Sequence, residues 1–334
     1  MSIRTIIKNL LRSILSRYGF ALVPKHLVYD WQTQGMRYDR KDIGIPPGAE
    51  EYLVPDNPRL LELQERYLNC DYPSSDILVW DSDRVKKDDI LYFRGHNAYV
   101  FQEGGSNRNL FGYLLSYYYT KSSAEPGLLE KLSEDGQFGA ITYDLDGYSI
   151  TRDLIDSALE ISFLERTIKI SQIEPLNVLD IGAGYGRLAQ RMTESLPNLE
   201  GYYCTDAIPV STFIAEYYLR YRKVDDKAKI LPLDLLEDQL KDIPIDLAVN
   251  IHSFSECTLT IIEWWLDILQ RHKIPYLMVI PNSSVGLFTN DKKDFSPLVQ
   301  QAGYELVSQE PKYQDPTVQK YAMNPDLYYL FRLK

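Results

Sequence analysis

Cysteine and histidine are scarce in this chain. Three cysteines, Cys70, Cys204 and Cys257, are spread over 334 residues. They cannot all pair with one another, and no CxxC or Cys/His cluster has the spacing of a zinc site. Thiols in or near apolar stretches suit a reducing cytoplasm, which is the expected location. No run is long and apolar enough to span a bilayer. The N-terminus lacks the uninterrupted apolar centre of a signal peptide. Positive charge is in deficit: 36 Lys and Arg face 47 Asp and Glu, for a net charge of −11. Nucleic-acid phosphates would be repelled, so no nucleic-acid partner is expected. Internal repeats and low-complexity segments are absent.

A hydrophobic content of 45% supports a substantial core, in one large domain with appendages or in two. Tyrosine is abundant, at 26 residues. Its flat apolar face and polar tip suit hydroxylated rings, although packing accounts for most of them. The first 20 residues, "MSIRTIIKNLLRSILSRYGF", contain no acid. Ile3, Ile6, Ile7, Leu10, Leu11, Ile14 and Leu15 fall on one helical face, with Arg4, Lys8 and Arg12 beside or opposite it. Such a helix either docks on this chain or a second subunit, or lies on the inner face of an anionic membrane.

Residues 21–148 read as a separate cap that would bind the acceptor. "DIGIPPGAEEYLVPDNPRL" is loop followed by a helix near 58–68, 89–102 has the pattern of extended chain, and 106–121 reads as helix. A turn at Asp146-Gly147 precedes a long helix over about 150–170. Residues 149–334 read as a second domain, in which from 176 short apolar runs alternate with amphipathic helices; this predicts βαβ units and a parallel sheet with helices on both faces. The tail differs: "GYELVSQEPKY" and "DLYYLFRLK" alternate like two antiparallel strands, with no good helix between them.

The densest signal is "NVLDIGAGYGRLAQRM", residues 177–192. A dinucleotide loop requires G-x-G-x-x-G after its first strand. Gly182 and Gly184 take the first two places, but Arg187 stands at the third, and the remaining glycine is Gly186. Asp180 ends the strand and faces the crevice where such sheets bind ligands. A pyrophosphate would be repelled there, whereas the ammonium and sulfonium of S-adenosylmethionine would be attracted. Asp206 ends the next strand, where an acid binds ribose hydroxyls. Asp234, after the third, is placed either to accept from an adenine amino group or to cap a helix. Tyr185 is either a cation–π partner for the sulfonium or an exposed loop tyrosine.

Asp180, Gly182, Gly184, Gly186, Asp206 and Asp234 together resemble the cofactor site of class I S-adenosylmethionine-dependent methyltransferases. That resemblance implies a Rossmann-like sheet of seven strands with the last antiparallel, preceded by a mainly helical region. From about residue 140 onward, "SITRDLIDSALEISFLER", "VLDIGAGYGRLAQRM", "YYCTDAIPVSTFIAEYYLRYR" and "NIHSFSEC" are more specifically similar to bacterial sugar O-methyltransferases of polysaccharide and glycosylated natural-product pathways. The implied partner is a nucleotide sugar, a glycan or a glycosylated metabolite. An Asn-Pro-Pro-Tyr motif, frequent in enzymes that methylate base or amide nitrogens, is missing: Asn250, a further candidate at the cofactor, is followed by Ile251, His252 and Ser253.

Transfer to a hydroxyl calls for alignment of donor and acceptor and for a base. His252 follows the fourth strand directly. Glu256 shares its face if the segment turns helical, and either orients the imidazole or replaces it as base. His96 would belong to a lid, while His26 and His272 read as surface or helix-end residues. Tyr148, Arg152 and Asp153 begin the long helix and are candidates for the acceptor. Arg152 would bind a cofactor carboxylate or an acceptor phosphate, or else form a surface ion pair. No set of side chains has metal-ligand spacing. The competing readings are a nicotinamide-dependent sugar oxidoreductase or epimerase and a non-catalytic partner protein docked through the N-terminal helix.

Overall fold

The computed structural model of the chain describes residues 3–19, 44–70, 72, 87–95 and 107–334. The N-terminal stripe forms α1, Ile3–Arg17. Short helix α2 (Ala49–Tyr52) leads to α3 (Pro58–Leu68). Asn57 caps α3 by accepting from the Arg59 amide, and Pro58 occupies the first turn, where no amide is needed. The expectation of extended chain over 89–102 does not hold at its start, because Lys87–Leu91 is helical (α4). The lid expected around His96, and His26, lie outside the described residues. Then come α5 (Asn107–Ser123), α6 (Leu128–Lys131) and the hairpin of β1 (Tyr143–Leu145) and β2 (Tyr148–Ile150). Asp146 and Gly147 turn the hairpin, both with positive φ.

Thr151 caps the long helix α7 (Arg152–Ile168) through the Leu154 amide. From there the alternation is regular: β3 (Leu176–Ile181), α8 (Arg187–Ser195), β4 (Leu199–Thr205), α9 (Pro209–Tyr221), β5 (Ala228–Ile230) and α10 (Leu236–Leu240). It continues through β6 (Leu247–Ile251), α11 (Leu259–Arg271), β7 (Tyr276–Ile280) and α12 (Ser296–Gln301). His272 terminates α11, as its position implies. The chain closes with β8 (Tyr304–Pro311), α13 (Pro316–Tyr321) and β9 (Leu327–Leu333). The helix α13 corrects the expectation of a bare loop between the last two strands. It is a single polar turn and a half with no buried residue, and Asp315 caps it, so it leaves no apolar period to read.

The main sheet has seven strands in the order β5-β4-β3-β6-β7-β9-β8. β3 pairs in parallel with β4 and β6, and β9 runs antiparallel to β7 and β8. This is the Rossmann-like sheet of class I methyltransferases that the resemblance implied. Alternate strand residues face two cores. Leu179, Ile181, Ala248 and Leu277 pack against α10 and α11, and α3 shares that core through Leu60, Leu63 and Tyr67. Val178, Leu247, Val249 and Met278 face α7 and α8, joined by Tyr113 and Tyr117 of α5. Helices α3 and α5 thus share the sheet's own packing.

Candidate functional site

The chain runs from β3 outward to β4 and β5, then returns to β6 on the other side of β3. Reversals of this kind open a crevice at the carboxyl ends of the strands. A cleft of about 540 Å³ lies there, lined by Asp180, Gly184, Asp206, His252, Glu256 and Asp326 among others.

The glycines of the β3–α8 loop serve three different ends. Gly182 has positive φ, and any Cβ there would overlap the Ser253 side chain from the β6 loop. Gly184, also with positive φ, has nothing within 4 Å of where a Cβ would stand, so its backbone is open to a ligand. Gly186 lies against Leu219 of α9, with its Cβ position 3.1 Å from Cδ2. Arg187, at the place of a third glycine, lines the cleft but is engaged. Its partly buried guanidinium forms a two-pronged pair with Glu160 of α7, at 2.9 Å for each bond, and also reaches Ser157 Oγ at 2.8 Å.

Asp180 and Asp206 stand at the ends of adjacent strands. Asp180 accepts from Tyr202 Oη at 2.8 Å. Asp206 accepts from the amides of Gly184 (3.0 Å) and Ile208 (2.9 Å). Burial pushes both carboxyls up to about 7, against the pull of these hydrogen bonds. Two carboxyls poised near neutrality would ionise fully once a cation or a set of hydroxyl donors replaced the lost water.

Other expected donor residues have structural partners. Asp234 forms a two-pronged ion pair with Arg66 of α3, at 2.9 Å for each bond, and does not line the cleft. The reading of Asp234 as a free adenine acceptor therefore does not hold in this structure; α3 uses it as a latch. Asn250 is fully buried and braces the loop: its amide donates to the Ile181 carbonyl, and its oxygen accepts from the Phe254 amide. Tyr185 lines the cleft but is not an exposed loop tyrosine. Its hydroxyl donates to Asp153, and its ring packs against Phe93 and Tyr218 with centroids 5.2 Å away in each case.

In the same cleft, His252 follows β6 with φ of 67°, a conformation that a residue with a Cβ rarely adopts. Its amide donates to the Ile280 carbonyl at 2.7 Å, which holds the turn. The imidazole lines the cleft, and Nε2 has no hydrogen-bond partner among the described residues. Nε2 lies 3.8 Å from Asp326 Oδ1. Ser253–Glu256 forms a 3₁₀ turn. Glu256 accepts from Asn282 Nδ2 at 3.4 Å, so the carboxylate recorded beside His252 is Asp326 and not Glu256.

Behind Asp326 runs a buried chain of charge. Lys312 pairs with Asp156 and lies 3.7 Å from Asp326 Oδ2. Arg152 Nε donates to Asp156 at 3.2 Å. Asn324, with its amide oriented to satisfy both ends, accepts from Arg152 Nε at 2.8 Å and Nη1 at 3.1 Å. Burial raises the Asp326 carboxyl, but His252 and Lys312 outweigh it and hold the group below the ordinary carboxylate range. Arg152 and Asp153 line the cleft, and both are buried. The surface ion pair envisaged for Arg152 is therefore an interior one. Tyr148 stands on the hairpin, 42% exposed and outside the cleft lining, which corrects its grouping with the other two.

Sequence reasoning missed Asp326, Lys312 and Asn324. β9 is antiparallel, so its start lies at the carboxyl ends of the parallel strands: Val279 pairs with Tyr329. The polar turn Asn324-Pro325-Asp326 before an expected antiparallel last strand was the available signal. Tyr72, which also lines the cleft and meets Trp264 edge-on at 5.0 Å, had none.

No family model matches the chain, and no curated protein matches it. Solved structures similar to it include a SAM-dependent methyltransferase from Aquifex aeolicus, at 15% identity and TM-score 0.37, covering 66% of this chain and 98% of that one. TrmK of M. capricolum, solved with S-adenosyl-homocysteine, has 14% identity and TM-score 0.34 and covers 50% and 67%. The [4+2]-cyclase SpnF has 14% identity and TM-score 0.40, covering 67% and 93%. The strand order, rather than these distant likenesses, establishes the fold.

Proposed function

We propose that this chain is an S-adenosylmethionine-dependent O-methyltransferase acting on a hydroxyl of a sugar-containing acceptor. The observation that carries the proposal is the pairing of an anionic donor end with His252 in one cleft. Asp180 and Asp206 flank the open backbone of Gly184, a set suited to an ammonium and to ribose hydroxyls. A nicotinamide pyrophosphate would meet those carboxylates instead, and Arg187, the cation nearest the loop in sequence, is engaged by Glu160.

The bound cofactor would supply a methyl group on a sulfonium, with a neutral thioether as leaving group. The protein's part is to align the acceptor and to accept its proton. His252 takes the hydroxyl proton as the oxygen–methyl bond forms, and Asp326 faces the resulting imidazolium. Lys312 acts through Asp326 as a positioning residue. The left-handed turn at His252 holds the ring at the cleft.

The acceptor class rests on the family resemblance and on charge. Six carboxylates line the cleft, namely Asp153, Asp156, Asp180, Asp206, Glu256 and Asp326, and its two arginines are both paired internally. A polyanionic acceptor such as RNA is disfavoured there, whereas a polyhydroxylated acceptor finds acceptors for its hydroxyls. Calorimetric titration with S-adenosylmethionine and with NAD tests the donor: tight NAD binding without S-adenosylmethionine binding overturns the reading. A mass-spectrometric screen for a methyl-sized gain over nucleotide sugars and glycans tests the acceptor.

A further inference from the structure

The chain from α2 through α3 to Tyr72 forms an arm against α9 and the turn after β5. Arg59 of α3 makes a two-pronged pair with Glu216 of α9. Arg66 holds Asp234, and Tyr67 meets Thr212 of α9 and the Leu233 amide. Tyr52 of α2 stacks on Phe213 and Tyr217, with centroids 5.4 and 5.2 Å away. Each of these anchors lies on α9 or just past β5. α9 leads away from Asp206 at the close of β4, so the arm is built onto the proposed donor side of the sheet. It has several ties and also buries Leu60, Leu63 and Tyr67, so the loss of one tie does not free it.

The arm reaches the cleft through Tyr72, which is 8% exposed and lines it. Its ring meets Trp264 edge-on at 5.0 Å and lies 6.4 Å from Trp265, which also lines the cleft. Burial pushes the Tyr72 hydroxyl up, and Cys257 and Asp206 push it further, so the phenol stays neutral. With Ala207, Ile208 and Cys257, the two rings give the cleft an apolar wall beside Asp206. The six carboxylates of the lining make that wall an exception. A base is joined directly to its ribose, so a ribose held by Asp206 brings a base to this wall. Flat bases bind aromatic faces with little regard to their edges. Asp234, held by Arg66, is not in the cleft to read the edge.

We propose that Tyr72 closes the donor site against the base, so that an arm of the region expected to bind the acceptor serves the donor instead. The proposal rests on the donor reading given above. Calorimetry on the full chain tests it with two probes, S-adenosylmethionine and 5′-methylthioadenosine, which keeps the nucleoside but lacks the amino acid end. Tyr72→Ala should weaken both by about tenfold, the size of one lost base–aromatic stack. Tyr72→Phe, which keeps the ring, should stay within about twofold of wild type. If Tyr72→Ala does not fold, judged by unfolding without ligand, Tyr72→Leu carries the same expectation, since it fills the core without a flat face. Unchanged affinity for both probes overturns the proposal. So does a loss confined to S-adenosylmethionine, which would put Tyr72 at the amino acid end. A loss that Tyr72→Phe shares in full overturns it too, because the hydroxyl and not the ring then holds the ligand. A wild-type chain that binds neither probe fails the donor reading itself, and the proposal with it.

Discussion

At the proposed donor end of the cleft, Asp180, Gly182, Gly184 and Asp206 come from two neighbouring strands and the loop after the first of them. At the proposed acceptor end, which adjoins it where Ser253 meets Gly182, His252 follows β6, Asp326 precedes β9 and Arg152 begins α7, so three distant segments converge. The donor end depends on backbone: open glycine and paired amides. The acceptor end depends on side chains held by a buried ion network. If the two ends have separate tasks, substitutions at one should leave the other's measurement unmoved.

The largest effect is expected at the acceptor end. His252→Asn keeps a residue that tolerates the positive φ but removes the base. Turnover should fall by about 10²- to 10⁴-fold, with the calorimetric dissociation constant for S-adenosylmethionine unchanged. Near wild-type turnover would place the base elsewhere, with Glu256 the next candidate. Asp326→Asn should give a smaller loss together with a displaced pH–rate profile, as befits a group that acts on the imidazole.

Asp180→Asn tests the donor end. Removing a charge-assisted contact should weaken S-adenosylmethionine binding by about 10- to 100-fold. An unchanged dissociation constant would remove Asp180 from the ligand and leave it as a buried partner of Tyr202.

Acidity should separate the two ends further. Asp180 and Asp206 are both raised to about 7 in the folded chain, chiefly by burial. Between about pH 4 and 7 the folded protein therefore holds protons that the unfolded chain has lost. This contribution to stability is present at low pH, declines as pH rises through that window, and is gone above 7. Binding of a cation or a hydroxyl donor runs the opposite way, because it needs the ionised form. Affinity for S-adenosylmethionine should rise by up to about tenfold per pH unit for each carboxyl that must ionise, and level off above 7. Calorimetry from pH 5.5 to 8.5 measures this, and a flat profile would break the link between these carboxyls and the ligand.

The comparison also accounts for what was legible in the sequence. The place of the glycine loop could be read because strand, loop and second strand are contiguous, and each glycine has a local reason to be there. The place of His252 at the end of a strand could be read because it directly follows an apolar run. That of Asp326 could not: it comes beside His252 only because β9 runs antiparallel and starts beside the carboxyl end of β7. Lys312 reads as one more charge in a tail segment until the fold buries it against Asp156. The 3₁₀ turn after β6 likewise set Glu256 against Asn282, where helical spacing had suggested a partner for His252.

Asp234 gives the finest discrimination, because two opposed roles are compatible with its place in the sequence. As a ligand for adenine, its loss would weaken the cofactor. As found, both of its oxygens are held by Arg66, and the same helix is fastened nearby where Tyr67 Oη meets Thr212 Oγ1 and accepts from the Leu233 amide, each at 3.0 Å. The pair is only partly buried, so Asp234→Asn should cost no more than about 1 kcal/mol of stability. A double-mutant cycle with Arg66→Gln should recover a coupling of that size, and the cofactor dissociation constant should stay within about twofold of wild type in every variant. A tenfold loss of affinity in Asp234→Asn that Arg66→Gln does not share would mean that the carboxylate exchanges its latch for the ligand. The donor end would then reach one strand further than the separation drawn above allows.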